Sequence, residues 1–316
     1  MVQKIAQAMI REAVEKRVSD LYLLPKEVTC QVYERILDAR KLVSELEEAT
    51  YSAVISHFKF LAGMSVGEKR RSQQGACDYD YGAGTIALRF SAVGDYRGKE
   101  SLVIRFLYDQ EEHLHFWFDA LRHVEEAIRG RGLYLFSGPV GSGKTTLMYH
   151  LAGLKFADRQ IVTIEDPVEI KRDEMLQLQL NEAIGLTYDN LIKLSLRHRP
   201  DLLIIGEIRD TETARAVIRA SLTGVTIFST VHGKSVPGVY ARMLELGVSP
   251  DELHHALQGI MYQRLIGGGG IVDVATQAYQ TYSPARWNEQ IDQLFAAGYI
   301  SARQAEAEKI VLGSST

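Results

Sequence analysis

The sequence predicts an α/β protein in two parts, a smaller α+β domain over residues 1–110 and a P-loop α/β domain over residues 111–316. Three observations predict this. The chain has 316 residues, about two domains at roughly 150 residues each. Residues 77–108 alternate apolar and polar side chains with a period of two, as half-buried antiparallel strands do. From Leu133 onward, short continuous apolar runs alternate with helical patterns, as in a parallel sheet covered on both faces.

Each element follows from local pattern. Residues 2–18 place Ile5, Met9, Ile10, Ala13 and Val14 on one side of a helix. Residues 19–24 read as a turn and strand stopped by Pro25, and 28–36 as a second strand. Residues 42–63 predict one or two helices ending at Gly63. In 77–108, Ile86, Leu88 and Phe90 alternate with Ala87 and Arg89, and Gly94 to Gly98 marks a hairpin or loop before the strand at 102–107. The polar run Asp109 to Glu112 reads as a linker, and 114–130 as a helix. Strands follow at 133–136, 161–164, 202–205 and 225–229, with a helix at 145–154. Gly267 to Gly270 reads as a flexible loop.

Composition narrows the function. Lys plus Arg number 36 against 40 Asp plus Glu, a net charge of −4, which excludes a histone-like polycation. The two cysteines, Cys30 and Cys77, cannot build a four-cysteine zinc site, and they fit a reducing compartment. No apolar run approaches the ~20 residues of a spanning helix, and residues 1–11 lack the features of a leader, so a cytoplasmic location is expected.

Gly138-Pro139-Val140-Gly141-Ser142-Gly143-Lys144-Thr145 has the G-x-x-x-x-G-K-[ST] spacing of a phosphate loop, and Thr146 continues it into a helix. The glycines let backbone N–H groups curl around phosphate oxygens, and the helix that follows presents its positive end to the same charge. Lys144 is expected to bridge the β- and γ-phosphates and Thr145 to hold Mg²⁺. A phosphate loop preceded by a strand and followed by a helix predicts ATP binding.

Hydrolysis also needs carboxylates at neighbouring strand ends. Two runs supply them, Ile161 to Glu169, with Glu165, Asp166 and Glu169, and Leu202 to Asp210, with Glu207. Acidic residues after strands are common, so either run alone says little; both downstream of a phosphate loop say more. His232 ends another apolar strand, and that position suits a γ-phosphate sensor.

These boxes, in this order, resemble those of the type II secretion and type IV pilus assembly ATPases. The matching segments are the phosphate loop, Ile164 to Glu169 followed by Gln177 to Asn181, Arg199 to Asp210 with Glu212-Thr213-Ala214, and Ser229 to His232. Glu68 to Gly75 is similar to the family's segment before its N-terminal strand pair. The resemblance covers most of the chain. It implies a RecA-like second domain, Glu207 as the Walker B acid near Mg²⁺, and Glu169 as the water-activating glutamate with Glu165 and Asp166 in support. It also implies Arg89 and Arg105 as arginines brought to the nucleotide when the domains close. Their plain alternative is charge on the outer face of a hairpin.

The resemblance further implies a homo-hexamer acting on an inner-membrane platform protein and indirectly on pilins, peripheral to the inner face of the plasma membrane, without zinc or direct nucleic-acid contact. Within the family the compact form is most similar to competence-type members of Gram-positive bacteria, which drive a DNA-uptake pilus. The four-cysteine zinc module and the extra N-terminal domain of larger relatives are missing. Tyr22 stands where the family often has His, Arg199 replaces an acidic residue, and Gly233-Lys234 follows the His box in place of Thr-Asn. The expected function is an ATPase motor for pilus assembly. A retraction motor of the same fold and a nucleotide-switched scaffold without turnover are the alternatives. A DNA-handling motor is disfavoured by the acidic balance.

Overall fold

A computed structural model describes residues 2–36, 39–108, 115–181 and 184–311. The chain divides into two compact units, Met1–Gln110 and Glu111–Thr316. The expected linker at 109–112 and His113 lie outside the described residues.

The first unit runs α1 (Val2–Glu15), β1 (Asp20–Pro25), β2 (Thr29–Ile36), β3 (Ala39–Glu47), α2 (Glu48–Leu61), β4 (Gln73–Asp80), β5 (Thr85–Gly94) and β6 (Glu100–Leu107). Its strands form one antiparallel sheet in the order β3-β2-β1-β6-β5-β4. Alternation puts Leu21, Leu23, Val32, Leu88, Phe90, Leu102 and Ile104 on one face, where Ile10 and Ala13 of α1 and Val54, Ile55 and Phe58 of α2 bury them. The opposite face carries the polar partners of the same strands.

The helix expected from residue 42 is a strand up to Glu47. Leu42, Val43 and Leu46 suit either period, and pairing with β2 decides. The result is a largely exposed edge strand, and its charges at Arg40, Lys41, Glu45 and Glu47 protect that edge from pairing with other chains. The helix begins only at Glu48.

The second unit runs α3 (Ala120–Ala127), β7 (Gly132–Ser137), α4 (Lys144–Phe156), β8 (Ile161–Glu165), β9 (Leu176–Gln179), α5 (Tyr188–Arg197), β10 (Leu202–Ile205), α6 (Thr211–Ser221), β11 (Thr226–Thr230), α7 (Val236–Glu245), α8 (Pro250–Ala256), β12 (Leu257–Ile266), β13 (Gly269–Ala275), α9 (Ala285–Ala296) and α10 (Ala302–Glu308). The sheet order is β13-β12-β7-β11-β10-β8-β9, parallel except for the β12–β13 pair. β7 shows why its sequence is apolar throughout. Leu133 and Leu135 face a core that includes Val217, Leu253, Trp287 and Ile291, while Tyr134 and Phe136 face Val124, Leu147 and Leu151 on the other side.

Two further expectations change. The predicted helix at 114–130 holds only over α3. Ahead of it, Phe116 bridges to Gly270, the Trp117 indole donates to Ile266 O at 2.8 Å, and Phe118 and Asp119 take φ of 56° and 52°, which no helix tolerates. The flexible glycine loop is instead a tight hairpin. Gly267 and Gly268, at φ 60° and 84°, turn β12 into β13, and Gly269 and Gly270 are strand residues packed against Trp117 and Phe116.

The first unit depends on one buried ion pair. Lys59 Nζ, fully buried, donates to Glu100 Oε1 at 2.5 Å and to Glu68 O at 2.6 Å. Removing one partner strands the other charge, so Glu100→Gln is expected to cost roughly 3–5 kcal/mol. Denaturant unfolding of the full chain checks it, and a loss below about 1 kcal/mol, the median for exposed pairs, contradicts the burial argument.

Candidate nucleotide site

Four strands end side by side on the carboxyl edge of the second sheet, in the spatial order β7, β11, β10, β8. Side-chain hydroxyls tie the ends together. Ser137 Oγ donates to Gly233 O at 3.2 Å, Ser229 Oγ to Ile205 O at 2.9 Å, and Thr230 Oγ1 to Gly206 O at 2.6 Å. Backbone bonds continue the ties, from Val231 N–H to Phe136 O, Ile208 N–H to Thr230 O and Gly206 N–H to Ile164 O. The edge is where open α/β sheets bind ligands, and every candidate residue of this unit lies on it.

The phosphate loop spans β7 and α4. Gly138, Gly141 and Gly143 have φ of 146°, 77° and 82°, so the glycine spacing is a conformational requirement. At Gly138 a Cβ would lie 2.1 Å from Gln263 O of β12. Pro139, Val140 and Gly141 are exposed at the tip, and Thr145 and Thr146 are half-buried in the first turn of α4. No side chain caps that helix, whereas Asp210 caps α6 and Ser235 caps α7. Its first N–H groups are left for an anion. Lys144 Nζ folds back onto Gly138 O at 2.9 Å and Pro139 O at 2.8 Å. Burial pulls its pKa down, and the charges of Glu207 and Glu169 oppose that pull. Both carboxylates therefore act on the loop lysine.

Glu207 is the second residue beyond β10. Its carboxylate accepts from Arg209 Nε at 2.7 Å and lies 2.9 Å from His232 Nε2. His232 thus lies at the edge, where it contacts Glu207. Asp166, half-exposed and followed by a cis peptide bond to Pro167, lies 4.0 Å from Arg209. Glu169 is half-buried, and its backbone N–H donates to the Glu165 carboxyl.

Glu165 differs from the other acids. It is buried at the end of β8 and accepts from Tyr149 Oη at 2.5 Å and Thr163 Oγ1 at 2.6 Å. Gln177 Nε2 donates in turn to Tyr149 Oη at 2.8 Å. Burial raises the Glu165 pKa, and its hydrogen-bond donors restrain the rise. Glu165 therefore anchors α4 to β8 and β9.

Arg89 and Arg105 sit opposite each other on β5 and β6 of the first unit, on the face away from its core. Arg105 Nε donates to Asp20 Oδ1 at 2.9 Å. Sequence reasoning missed Tyr149, Thr163, Arg209 and the support given by Gln263. Only Gln177 had a signal, since it opens the run after the acidic box.

A phosphate loop on a RecA-like parallel sheet, with two carboxylates acting on its lysine, defines a P-loop nucleotide-binding protein. The chain belongs to the type II/IV secretion system protein family, whose model matches residues 1–286. It is 63% identical over 310 residues to the competence protein ComGA of Streptococcus pneumoniae (strain ATCC BAA-255 / R6), a match covering 98% of this chain and 99% of that protein. The competence protein ComGA of Bacillus subtilis (strain 168) is 35% identical over 272 residues, 84% of this chain and 76% of that relative. A crystal structure of the pilus retraction motor PilT with bound ADP has a TM-score of 0.69 and 24% identity, covering 96% of each chain, a likeness of fold. Among the described residues no helix is long and apolar enough to cross a membrane.

Glu165 makes stability depend on pH. A carboxyl whose pKa is raised on folding adds stability below its ordinary 4.5, and that contribution is lost as pH rises through the folded value. The wild-type chain is expected to lose stability upward from that point, and Glu165→Gln to lack this part of the slope. Denaturation midpoints measured from there to about neutral pH check it; parallel slopes for the two proteins refute it.

Proposed function

We propose that this chain is the ATPase motor that powers assembly of a competence pilus for DNA uptake, hydrolysing Mg²⁺-ATP at the carboxyl edge of the second sheet. The observation that carries the chemistry is the glycine-built phosphate loop with Lys144 at the sheet edge that also bears Glu169 and Glu207, whose charges bear on the lysine. In a phosphate-loop site that set contains a phosphate-binding cation and two carboxylates for the metal and the water. The motor role rests on the family and on the likeness to competence proteins.

Lys144 leaves its two loop carbonyls and takes the β- and γ-phosphate oxygens. Backbone N–H groups from Gly141 to Thr146 surround the β-phosphate. Glu169 orients a water and accepts its proton as the water oxygen bonds to the γ-phosphorus. The bond from that phosphorus to the β–γ bridging oxygen breaks, giving ADP and phosphate. His232 and Arg209 hold the Glu207 carboxylate in place. The donor set suits Mg²⁺, since the half-buried Thr145 hydroxyl in the first turn of α4 and the Glu207 carboxylate beyond β10 are hard oxygen ligands at the same edge of the sheet. When bound, Mg²⁺ neutralises charge on the phosphates. Arg89 and Arg105 add positive charge to the transferred group when the first unit closes on the nucleotide, and hydrolysis releases them. Six copies acting in turn move a membrane platform protein at the cytoplasmic face, and through it the pilins.

Nucleotide titration and phosphate release test the site. Lys144→Ala is expected to lose tight ATP binding. Glu169→Gln and Glu207→Gln are expected to keep it and to slow turnover by roughly a hundredfold or more. Normal turnover in both glutamine variants overturns the assignment. Turnover followed against protein concentration, with mass by light scattering, tests the motor. Activity is expected to rise as a hexamer forms and to collapse in Arg89→Ala and Arg105→Ala; binding by a monomer that never turns over points to a switch-like scaffold.

A further inference from the structure

Gln263 lies under both ends of the phosphate loop. β12 pairs in parallel with β7 up to Tyr262 opposite Ser137, so Gln263 comes level with Gly138, the first residue of the loop. Its backbone oxygen presses on Gly138, where a Cβ would lie at 2.1 Å. Its side-chain nitrogen presses on Gly143, where a Cβ would lie at 3.0 Å. The loop's first and last glycines are therefore seated on one residue, itself 2% exposed.

Two buried polar atoms at this seat make no hydrogen bond, Gln263 Oε1 and Ser142 Oγ. Ser142 Oγ lies 2.7 Å from the same Gly138 Cβ position that Gln263 O crowds. The pair is chemically matched, because a serine hydroxyl donates and a carboxamide oxygen accepts. Buried groups of this kind are rarely left unsatisfied, so two matched orphans at one seat call for an explanation. The loop has a reason to rearrange. In this structure it is drawn inward by Lys144 Nζ, which bonds to Gly138 O and Pro139 O. A phosphate that takes the ammonium removes both of those bonds.

We propose that Gln263 is a positioning residue for the phosphate-bound loop: once phosphates take Lys144, Ser142 Oγ donates to Gln263 Oε1 and holds the loop in its binding form. This rests on reading residues 138–145 as the nucleotide site. The bond exists in only one of two loop states, so it adds to nucleotide affinity and not to the stability of the nucleotide-free chain. It also makes β12 part of the nucleotide response. β12 carries the hairpin to β13, and Tyr262 packs on Trp287 of α9 with ring centroids 5.1 Å apart.

The test is a double-mutant cycle on the full chain, with Ser142→Ala, Gln263→Met and the double variant. Affinity for Mg²⁺-ADP is read by titration and nucleotide-free stability by thermal unfolding. Each single variant is expected to weaken ADP binding about three- to tenfold, the double variant no further than the weaker single, and none to melt below the wild type. Additive losses, unchanged affinity in Ser142→Ala, or a fall in nucleotide-free melting that tracks the loss of affinity overturns the proposal. Failure of the wild-type chain itself to bind ADP overturns the nucleotide-site reading, and this inference with it.

Discussion

The level ending of four parallel strands is the constraint on which the site depends. β7, β11, β10 and β8 are hydrogen-bonded neighbours, and each is too apolar and too buried to shift register without exposing core. Ser137, Ser229 and Thr230 add side-chain bonds across the strand ends, so the first residue after each strand has a fixed height. Gly138 is the first residue after β7, Glu165 the last of β8, and Glu207 and His232 the second after β10 and β11. The catalytic candidates come from four distant parts of the sequence, and the sheet brings them together, with contacts such as Glu207 to His232 and Arg209 to Asp166 joining the loops that carry them.

Electrostatics explains why the arrangement suits a polyphosphate. Glu165, Asp166, Glu169 and Glu207 crowd one edge, and close carboxylates repel. The structure separates their tasks by environment. Glu165 is buried among hydroxyl donors and serves as an anchor. Glu207 is held between Arg209 and His232. Lys144 is left as the cation on which Glu169 and Glu207 both act, and burial makes its ammonium costly unless charge is nearby. An anionic ligand at the loop supplies such a charge.

The sequence was readable where local physics decides. The phosphate loop, the acidic boxes and the buried strands follow from spacing and apolar runs, and the structure places them on one edge. Errors arose where tertiary pairing overrides local pattern. Leu42, Val43 and Leu46 fit a helix or a strand, and only β2 settles which. Phe116, Trp117 and Phe118 look helical, but they pack on the β12–β13 hairpin. Four successive glycines suggest flexibility, yet two make a turn and two admit aromatic rings. Tyr149, Thr163 and Gln263 gave no signal at all, because each acts through a partner far off in sequence.

Arg89 and Arg105 belong to a charged row on the outer face of the first sheet. Strand register puts Arg40, Arg35, Asp20, Arg105 and Arg89 side by side across β3, β2, β1, β6 and β5. Like charges directly opposite each other destabilise a sheet, and this row holds four guanidiniums and one carboxylate. Part of the cost is met within the face, since Arg40 stacks on Tyr33 and Arg35 donates to Tyr22 Oη. Asp20 serves Arg105. Arg89 closes the row beside Arg105, and pairing of this kind keeps neighbouring guanidiniums on one face of the sheet.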